Sequence, residues 1–249
     1  MKKFVMSVAA CFAAFAAVAD RLPEVKAGDS SLCVEAARCS AMIVNIRWPG
    51  HQRELDQTEI CSFARFDLKG PTEVCVKPNR VFTNVVVRPI SAKVAVQCEG
   101  DLVRFKIPKP GAYSVEFDGR HRNLMLFADS PRDWSKVDRT ASNVRYFGPG
   151  EHDVGLITLK AGETLFIDEG AIVYGRVFAK DAPNIRICGT GILDSSRIRA
   201  VPIKIDPALA KEQRRKGWAI TNVKRFDAMR FEFCNNLRIE GVIIRDSPL

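Results

Sequence analysis

Short strand-like segments, punctuated by glycine and proline, follow one another between residues 41 and 128. Residues 112–117 (AYSVEF) alternate apolar and polar positions and end at the turn signal Asp118-Gly119. Residues 102–107 and 83–88 are further runs of this kind. No segment of the region repeats its apolar residues every 3.6 positions, so short strands at this spacing predict a β-sandwich.

From residue 143 onward the pattern changes to very short apolar runs between closely spaced glycines. Eight glycines lie within residues 143–193, and they separate runs such as Thr164–Ile167 and Ala171–Tyr174. Two eleven-residue segments then match at six positions: Asn184–Asp194 (NIRICGTGILD) and Asn236–Asp246 (NLRIEGVIIRD). This internal repeat indicates a chain that coils with a regular advance.

A coil that advances one turn every 20–25 residues or so stacks equivalent positions above one another, as in a β-solenoid. Apolar side chains then line the interior, and asparagines at the turns can form a ladder. The interpretation requires Ile187 and Ile239, which share a position in the repeat, to point into one apolar interior along a common axis. A chance similarity between strands of an ordinary sandwich is the alternative.

Residues 197–225 interrupt the repeat. Within them, residues 207–216 (PALAKEQRRK) predict a short helix that begins after Asp206 as its cap, with Pro207 in the first turn. A strand pattern resumes at residues 229–233. We therefore interpret this segment as an insertion that leaves the solenoid between two coils.

The first 19 residues have the layout of a secretory signal peptide. Lys2 and Lys3 precede a nearly unbroken apolar run at residues 5–18, and Ala17-Val18-Ala19 places small residues at the cleavage position. The apolar run is short for a membrane span. We expect a secreted or periplasmic protein with no membrane contact after signal removal; an uncleaved anchor or a lipoprotein site at Cys11 are the alternatives.

Export changes what the cysteines predict. Seven follow the signal segment, and five of them lie within residues 33–98, so one or two disulfides are expected there. No two cysteines have the C-x-x-C spacing of a zinc site. Cys188 and Cys234 lie in strand-like segments and are predicted to be buried thiols.

The basic character of the chain is concentrated in the insertion. The formal net charge is +9, and it becomes +7 without Lys2 and Lys3. Residues 197–225 hold nine Lys or Arg residues and two acidic residues, so their formal net charge is also +7. The rest of the chain after the signal segment is therefore formally neutral. Export and the lack of interleaved aromatic residues argue against nucleic acid. Binding to an acidic polysaccharide or an anionic surface is one interpretation, and a solvated basic segment is the plainer one.

Residues 146–194 resemble the opening coils of pectin-lyase-fold glycoside hydrolases. The similar segments are Tyr146–Asp153 (YFGPGEHD), Glu163–Ile167, Gly170–Gly175 and Asn184–Asp194. The resemblance is to polygalacturonase-type enzymes of family 28 and to the dextranase and isopullulanase group of family 49, which carries an N-terminal β-sandwich. It extends more weakly over residues 41–249.

The resemblance implies an all-β fold, with an N-terminal β-sandwich followed by the first rungs of a right-handed parallel β-helix. We therefore expect a signal peptide at residues 1–19, the sandwich at 20–130, a linker at 131–142 and β-helix rungs at 143–249.

The resemblance also implies inverting hydrolysis of a polysaccharide, pectin-like or a glucan, by two carboxylates. The family motifs Asn-Thr-Asp, Asp-Asp, Gly-His-Gly and Arg-Ile-Lys do not occur in the sequence. We therefore assign no catalytic, cofactor or metal residue, and expect the catalytic carboxylates beyond Leu249. The alternative hypothesis is a non-catalytic carbohydrate-binding or surface β-helix protein. A third hypothesis is a polysaccharide lyase.

A few single residues invite a functional role. Asp194 and Asp246 end the two copies of the repeat, which favours turn roles over catalysis. His152 is expected to support the Gly-Pro-Gly turn that precedes it. Tryptophan can stack on a sugar ring but more often anchors packing; the three in the chain are Trp48, Trp134 and Trp218.

Overall fold

A computed structural model describes residues 22–40, 58–119, 121–198, 201–202, 204, 206–216, 223–224 and 226–246. The chain divides into two compact units, residues 1–132 and 133–249. The predicted signal peptide, Trp48 and Trp218 lie outside the described residues. No helix in the described part of the chain has the length and apolar character needed to cross a membrane.

The first unit is a β-sandwich of two five-stranded sheets. Its strands are β1 (Glu24–Ala27), β2 (Ser30–Ser31), β3 (Val34–Ser40), β4 (Thr58–Asp67), β5 (Thr72–Lys77), β6 (Val85–Arg88), β7 (Val96–Glu99), β8 (Leu102–Ile107), β9 (Gly111–Phe117) and β10 (Leu124–Asp129). One sheet has the order β2-β1-β5-β8-β7 and the other β3-β4-β10-β9-β6. Strands β4 and β10 pair in parallel, whereas their other neighbours are antiparallel.

Alternation along each strand builds the core of the sandwich. In β9, Tyr113, Val115 and Phe117 are buried in the core, whereas Ala112 and Ser114 belong to the opposite face of the sheet. Strand β8 follows the same rule with Val103, Phe105 and Ile107. A period of two therefore places one face of each sheet inside the sandwich.

The cysteines differ in part from expectation. Cys33, Cys75 and Cys98 are free thiols, so none of these three forms the predicted disulfides. Cys188 is fully buried as predicted, and this burial raises the pKa of its thiol. Cys234 is only half-buried.

The described residues of the second unit form stacked coils and one helix. Its strands are β11 (Val144–Phe147), β12 (Gly150–Leu159), β13 (Thr164–Ile167), β14 (Ala171–Lys180), β15 (Arg186–Gly189), β16 (Ile192–Asp194), β17 (Val201–Pro202), β18 (Val223–Lys224), β19 (Met229–Glu232), β20 (Arg238–Glu240) and β21 (Ile243–Arg245). The helix α1 spans Pro207–Arg215, where the sequence predicts it.

Parallel pairing stacks these strands into a β-helix. One sheet has the order β11-β13-β15-β20 and another β12-β14-β16-β21. Thr164 pairs with Val144 and with Arg186, and Arg186 pairs with Arg238, so successive coils lie 20, 22 and 52 residues apart. The predicted fold class is confirmed as a β-sandwich followed by rungs of a parallel β-helix.

The repeat has the predicted interior. Leu165, Ile187 and Ile239 form one column, in which the first two side chains are fully buried and Ile239, on the last coil, is 46% exposed. The predicted asparagine ladder is confirmed as well, because Asn236 Nδ2 donates to Asn184 Oδ1 over 2.5 Å.

The insertion divides a single coil. Strand β14 pairs along its first half with β16 and along its second half with β19. The insertion therefore leaves the β-helix between two strands of the third coil. Ser195 N–H still donates to the Arg245 carbonyl and Val177 N–H to the Ala228 carbonyl, so the insertion lies within residues 196–227, close to the predicted 197–225. At the same corner Gly175 packs against the coil before it, since a Cβ atom there would lie 2.5 Å from the Gly155 carbonyl oxygen.

Candidate functional site

The surface beside the insertion is the first candidate for a functional site. In repeat proteins, insertions collect on one face, and that face is often the one that binds. We define the insertion face as the outward-facing residues of β12, β14 and β19 at this corner, together with Lys160 directly after β12 and the two ends of the insertion. Its members are Glu151, Asp153, Leu156, Thr158, Lys160, Tyr174, Arg176, Phe178, Lys180, Arg197, Phe226, Asp227, Arg230 and Glu232.

Arg197 fixes the start of the insertion to the β-helix. Its guanidinium lies 3.4 Å from the ring centroid of Tyr174, and Nη1 donates to Asp153 Oδ2 over 2.7 Å. Nη2 donates to Glu151 Oε2 over 3.3 Å. The bond to Asp153 raises the pKa of Arg197, and burial raises the pKa of Tyr174. Stacking and ion pairing together hold this end of the insertion.

Arg176 holds the other end. Its guanidinium lies 4.2 Å from the ring centroid of Phe226, which comes shortly before β19. Tyr174 and Arg176 flank Gly175 on the outer side of β14. The start and the end of the insertion therefore both stack on the same strand.

A buried ion pair lies next to this corner. Arg245 Nε donates to Asp194 Oδ2 over 2.6 Å, and the two side chains are 10% and 3% exposed. The other carboxylate oxygen of Asp194 accepts the backbone N–H of Ser196 over 2.8 Å. This bond to the residue two positions ahead forms a turn, so the turn role predicted for Asp194 is confirmed.

His152 also has the supporting role that the sequence predicts. Its Nε2 lies 2.7 Å from the carbonyl oxygen of Gly148, at the start of the Gly-Pro-Gly turn. The imidazole packs against Phe147, with ring centroids 5.2 Å apart. It therefore stabilises the turn between β11 and β12.

Three cations of the insertion face have no acidic partner in the described part of the chain: Lys160, Arg176 and Lys180. Leu159 pairs with Ala179, so the two lysines are neighbours in adjacent coils. Phe178 lies between Arg176 and Lys180 on the outer side of β14. The second half of the face is thus a positively charged surface with an aromatic ring in it.

The acids of the face are all paired with arginine. Glu151 and Asp153 contact Arg197, and the shorter contact is 2.7 Å. Asp227 and Glu232 contact Arg230 at 3.8 Å and 2.8 Å. Within the described residues no group of three metal-binding side chains occurs. The geometry suits binding and positioning more than proton transfer.

Trp134 belongs to the segment predicted as a linker and has a packing role. Its ring lies edge-on to Phe166, with centroids 6.0 Å apart, and Arg186 stacks on it at 5.8 Å. Arg139, from the same segment, lies 5.2 Å from the Phe166 ring. The segment covers the outer side of β13 and β15, so Trp134 is a packing anchor.

Comparison with known proteins gives a match in structure. No protein-family model matches the sequence, and no curated protein matches it. The chain is similar to Dex49A from Penicillium minioluteum, with 13% identity and a TM-score of 0.55, over 91% of this chain and 54% of that one. It thus spans about half the length of Dex49A.

A second solved structure aligns over a smaller part of the chain. It is a protein from Parabacteroides merdae provisionally described as a glycosyl hydrolase, with 22% identity, a TM-score of 0.27 and coverage of 41% of this chain and 58% of that one. The match to Dex49A shows the fold alone, which is a β-sandwich followed by a parallel β-helix.

Proposed function

We propose that this chain belongs to a secreted or periplasmic enzyme that degrades a polysaccharide, and that the insertion face binds the polymer. The resemblance of residues 146–194 to glycoside hydrolases, together with the fold shared with Dex49A, supports the class of activity. The observation that carries the proposal is the cationic surface of Lys160, Arg176 and Lys180 around Phe178, because these cations have no acidic partner among the described residues. An aromatic ring suits the apolar face of a pyranose, and cations suit its anionic substituents.

An acidic, pectin-like polymer fits this surface better than a neutral glucan. Cations at neighbouring positions attract a chain that carries a carboxylate on each sugar, whereas a neutral chain gains nothing from them. Lys160 and Lys180 are exposed and Arg176 is half-buried, so salt weakens the attraction. Affinity should therefore fall with ionic strength for a polyuronate and remain constant for a glucan.

The reaction we propose is inverting hydrolysis by two carboxylates, one as acid and one as base. The four acids of the insertion face contact arginines. We assign these acids to positioning and not to proton transfer. The same pairing favours a second candidate function, a carbohydrate-binding β-helix without catalysis.

Binding and cleavage are best measured separately on the full chain. Affinity electrophoresis in gels containing polygalacturonate or dextran reports binding, and release of reducing ends reports cleavage. We expect the double variant Lys160→Gln, Lys180→Gln to bind polygalacturonate about tenfold more weakly, since each lost charge contact costs about 0.7 kcal/mol. A matched double variant of two exposed sandwich lysines, Lys26→Gln, Lys106→Gln, should bind normally.

New reducing ends would favour the enzyme over the non-catalytic alternative. Binding without them does not separate the two functions, because no catalytic carboxylate is assigned among residues 1–249. Equal affinity of the two double variants for polygalacturonate would show that the insertion face does not bind the polymer.

A further inference from the structure

The sandwich carries a depression on the outer side of one of its sheets. The outward-facing side chains of β9 at this point are small, Ala112 and Ser114. Larger side chains flank them on both sides. Met125 and Phe127 of the neighbouring strand β10 form one wall, and Ile90, which follows β6, forms the other. We call this depression the sandwich trough; its volume is about 500 Å³.

The walls of the trough are apolar and open to solvent. Ile90 is 59% exposed and Met125 is 39% exposed. Phe127 contributes a ring to the same wall as Met125, and it packs edge-on against Phe63 with centroids 6.4 Å apart. Exposed apolar side chains that enclose a concave space are typical of binding sites for small ligands.

Polar groups lie at one side of the trough. Arg88 lines it, and Arg88 Nε donates to Glu116 Oε1 over 2.8 Å. Glu116 is only 6% exposed, so this pair has a fixed position. The two charges cancel, which leaves the trough without a net charge from its polar side. Arg88 keeps further N–H donors on a side chain that is 39% exposed.

We propose that the sandwich trough binds one neutral pyranose unit of a polysaccharide. A pyranose has an apolar C–H face for the wall of Met125 and Phe127, and hydroxyl groups that accept from Arg88. The volume lies within the range of about 300–1,000 Å³ that small-ligand sites occupy. The cancelled Arg88–Glu116 charge favours a neutral sugar over a uronate.

The sandwich trough lies in the first unit, whereas the insertion face lies in the second, and the two share no residue. The proposal for the trough therefore does not rest on the proposed function. The probes are three neutral polymers, dextran, galactan and mannan, with polygalacturonate as the charged comparison. Affinity electrophoresis of the full chain measures binding to each. We expect retardation by at least one neutral polymer, and the retardation should not change with salt.

The variant Ala112→Trp fills the trough without changing charge, and we expect it to bind at least tenfold more weakly to the polymer that retards the native chain. The control Gln97→Trp adds the same ring at an exposed position on the other sheet and should bind normally. Circular dichroism checks that both variants fold. If Ala112→Trp does not fold, the double variant Ile90→Ala, Met125→Ala removes the walls and replaces it.

Three results would overturn the proposal. The first is that none of the three neutral polymers retards the native chain. The second is that the trough variants bind the polymer as tightly as the control variant does. Alternatively, sedimentation could show a native dimer that Ala112→Trp dissociates, in which case the trough holds a second copy of the chain.

Discussion

Gly189 illustrates how closely the coils approach one another. It ends β15 at the turn toward β16, and its φ of 117° is one that other residues rarely adopt. A Cβ atom there would collide with the carbonyl oxygen of Ile167 in the preceding coil. The repeat places Gly241 at the same position of the next coil, where a Cβ atom would collide with the carbonyl oxygen of Gly189. The absence of a side chain at this turn therefore allows successive coils to stack closely.

Replacing Gly189 by alanine should destabilise the β-helix strongly. We expect a loss of about 2–4 kcal/mol, because backbone strain and a backbone collision act together. Gly162→Ala is the matched control: its φ is also positive, 75°, but no atom lies within 4 Å of the added Cβ. That variant should lose only about 1 kcal/mol. Urea unfolding measures both, and equal losses would show that stacking at Gly189 is not the cause.

At the scale of elements, the sequence predicts the coils but not the contacts between their outer side chains. The match between Asn184–Asp194 and Asn236–Asp246 locates two coils, because the turn glycine and the buried isoleucine must recur in each. Arg197 contacts Tyr174 and Asp153, which lie 23 and 44 residues away in sequence. Such contacts depend on strand register and on where the insertion leaves the coil, and no local pattern encodes them.

The sequence alone does not predict the sandwich trough either. Ala112 and Ser114 appear there as ordinary outer positions of an alternating strand. Their significance depends on Met125 and Phe127, which only the pairing of β9 with β10 brings beside them. Alternation predicts which face of a strand is buried, but a depression on the outer face arises from the sizes of residues on neighbouring strands.

Removing the contact that holds the start of the insertion should loosen the whole element. Arg197→Gln loses the stacking on Tyr174 and two exposed ion pairs, together about 1–2 kcal/mol. The insertion holds nine Lys or Arg residues, which are cleavage sites for trypsin. We expect cleavage within residues 197–225 to be about fivefold to thirtyfold faster, because cleavage follows the population of the open form.

The control for this test is Arg230→Gln, which removes an arginine of the same face that pairs with Glu232 of its own strand. It should leave the cleavage rate of the insertion nearly unchanged. If Arg197→Gln were cleaved no faster than this control, the start of the insertion would be held by other contacts.

At the scale of the molecule, the two units offer surfaces of opposite character. The insertion face carries three cations that lack acidic partners among the described residues, and the sandwich trough is apolar with a cancelled charge pair. Salt weakens attraction between exposed charges, but it strengthens or leaves unchanged the burial of apolar surface. The two proposed sites can therefore be told apart by ionic strength alone.

The last described coil should govern how the chain behaves in solution. Its inner side chains Ile239 and Ile244 are 46% and 47% exposed, although they continue columns that are fully buried at Ile187 and Leu193. In the described part of the chain no strand pairs with the outer edges of β20 and β21. Exposed apolar side chains beside an open strand edge favour association. We expect a polypeptide of residues 1–249 to self-associate with rising concentration in sedimentation velocity experiments.

Two substitutions at this edge test the cause. The double variant Ile239→Lys, Ile244→Lys places charges on the exposed ends of both columns, and like charges on two copies repel one another. We expect it to stay monomeric at concentrations where the native chain associates. Val81→Lys changes an apolar side chain of the sandwich that is 94% exposed and should have no effect. A native chain that remains monomeric throughout would mean that this edge is too short or too polar to drive association.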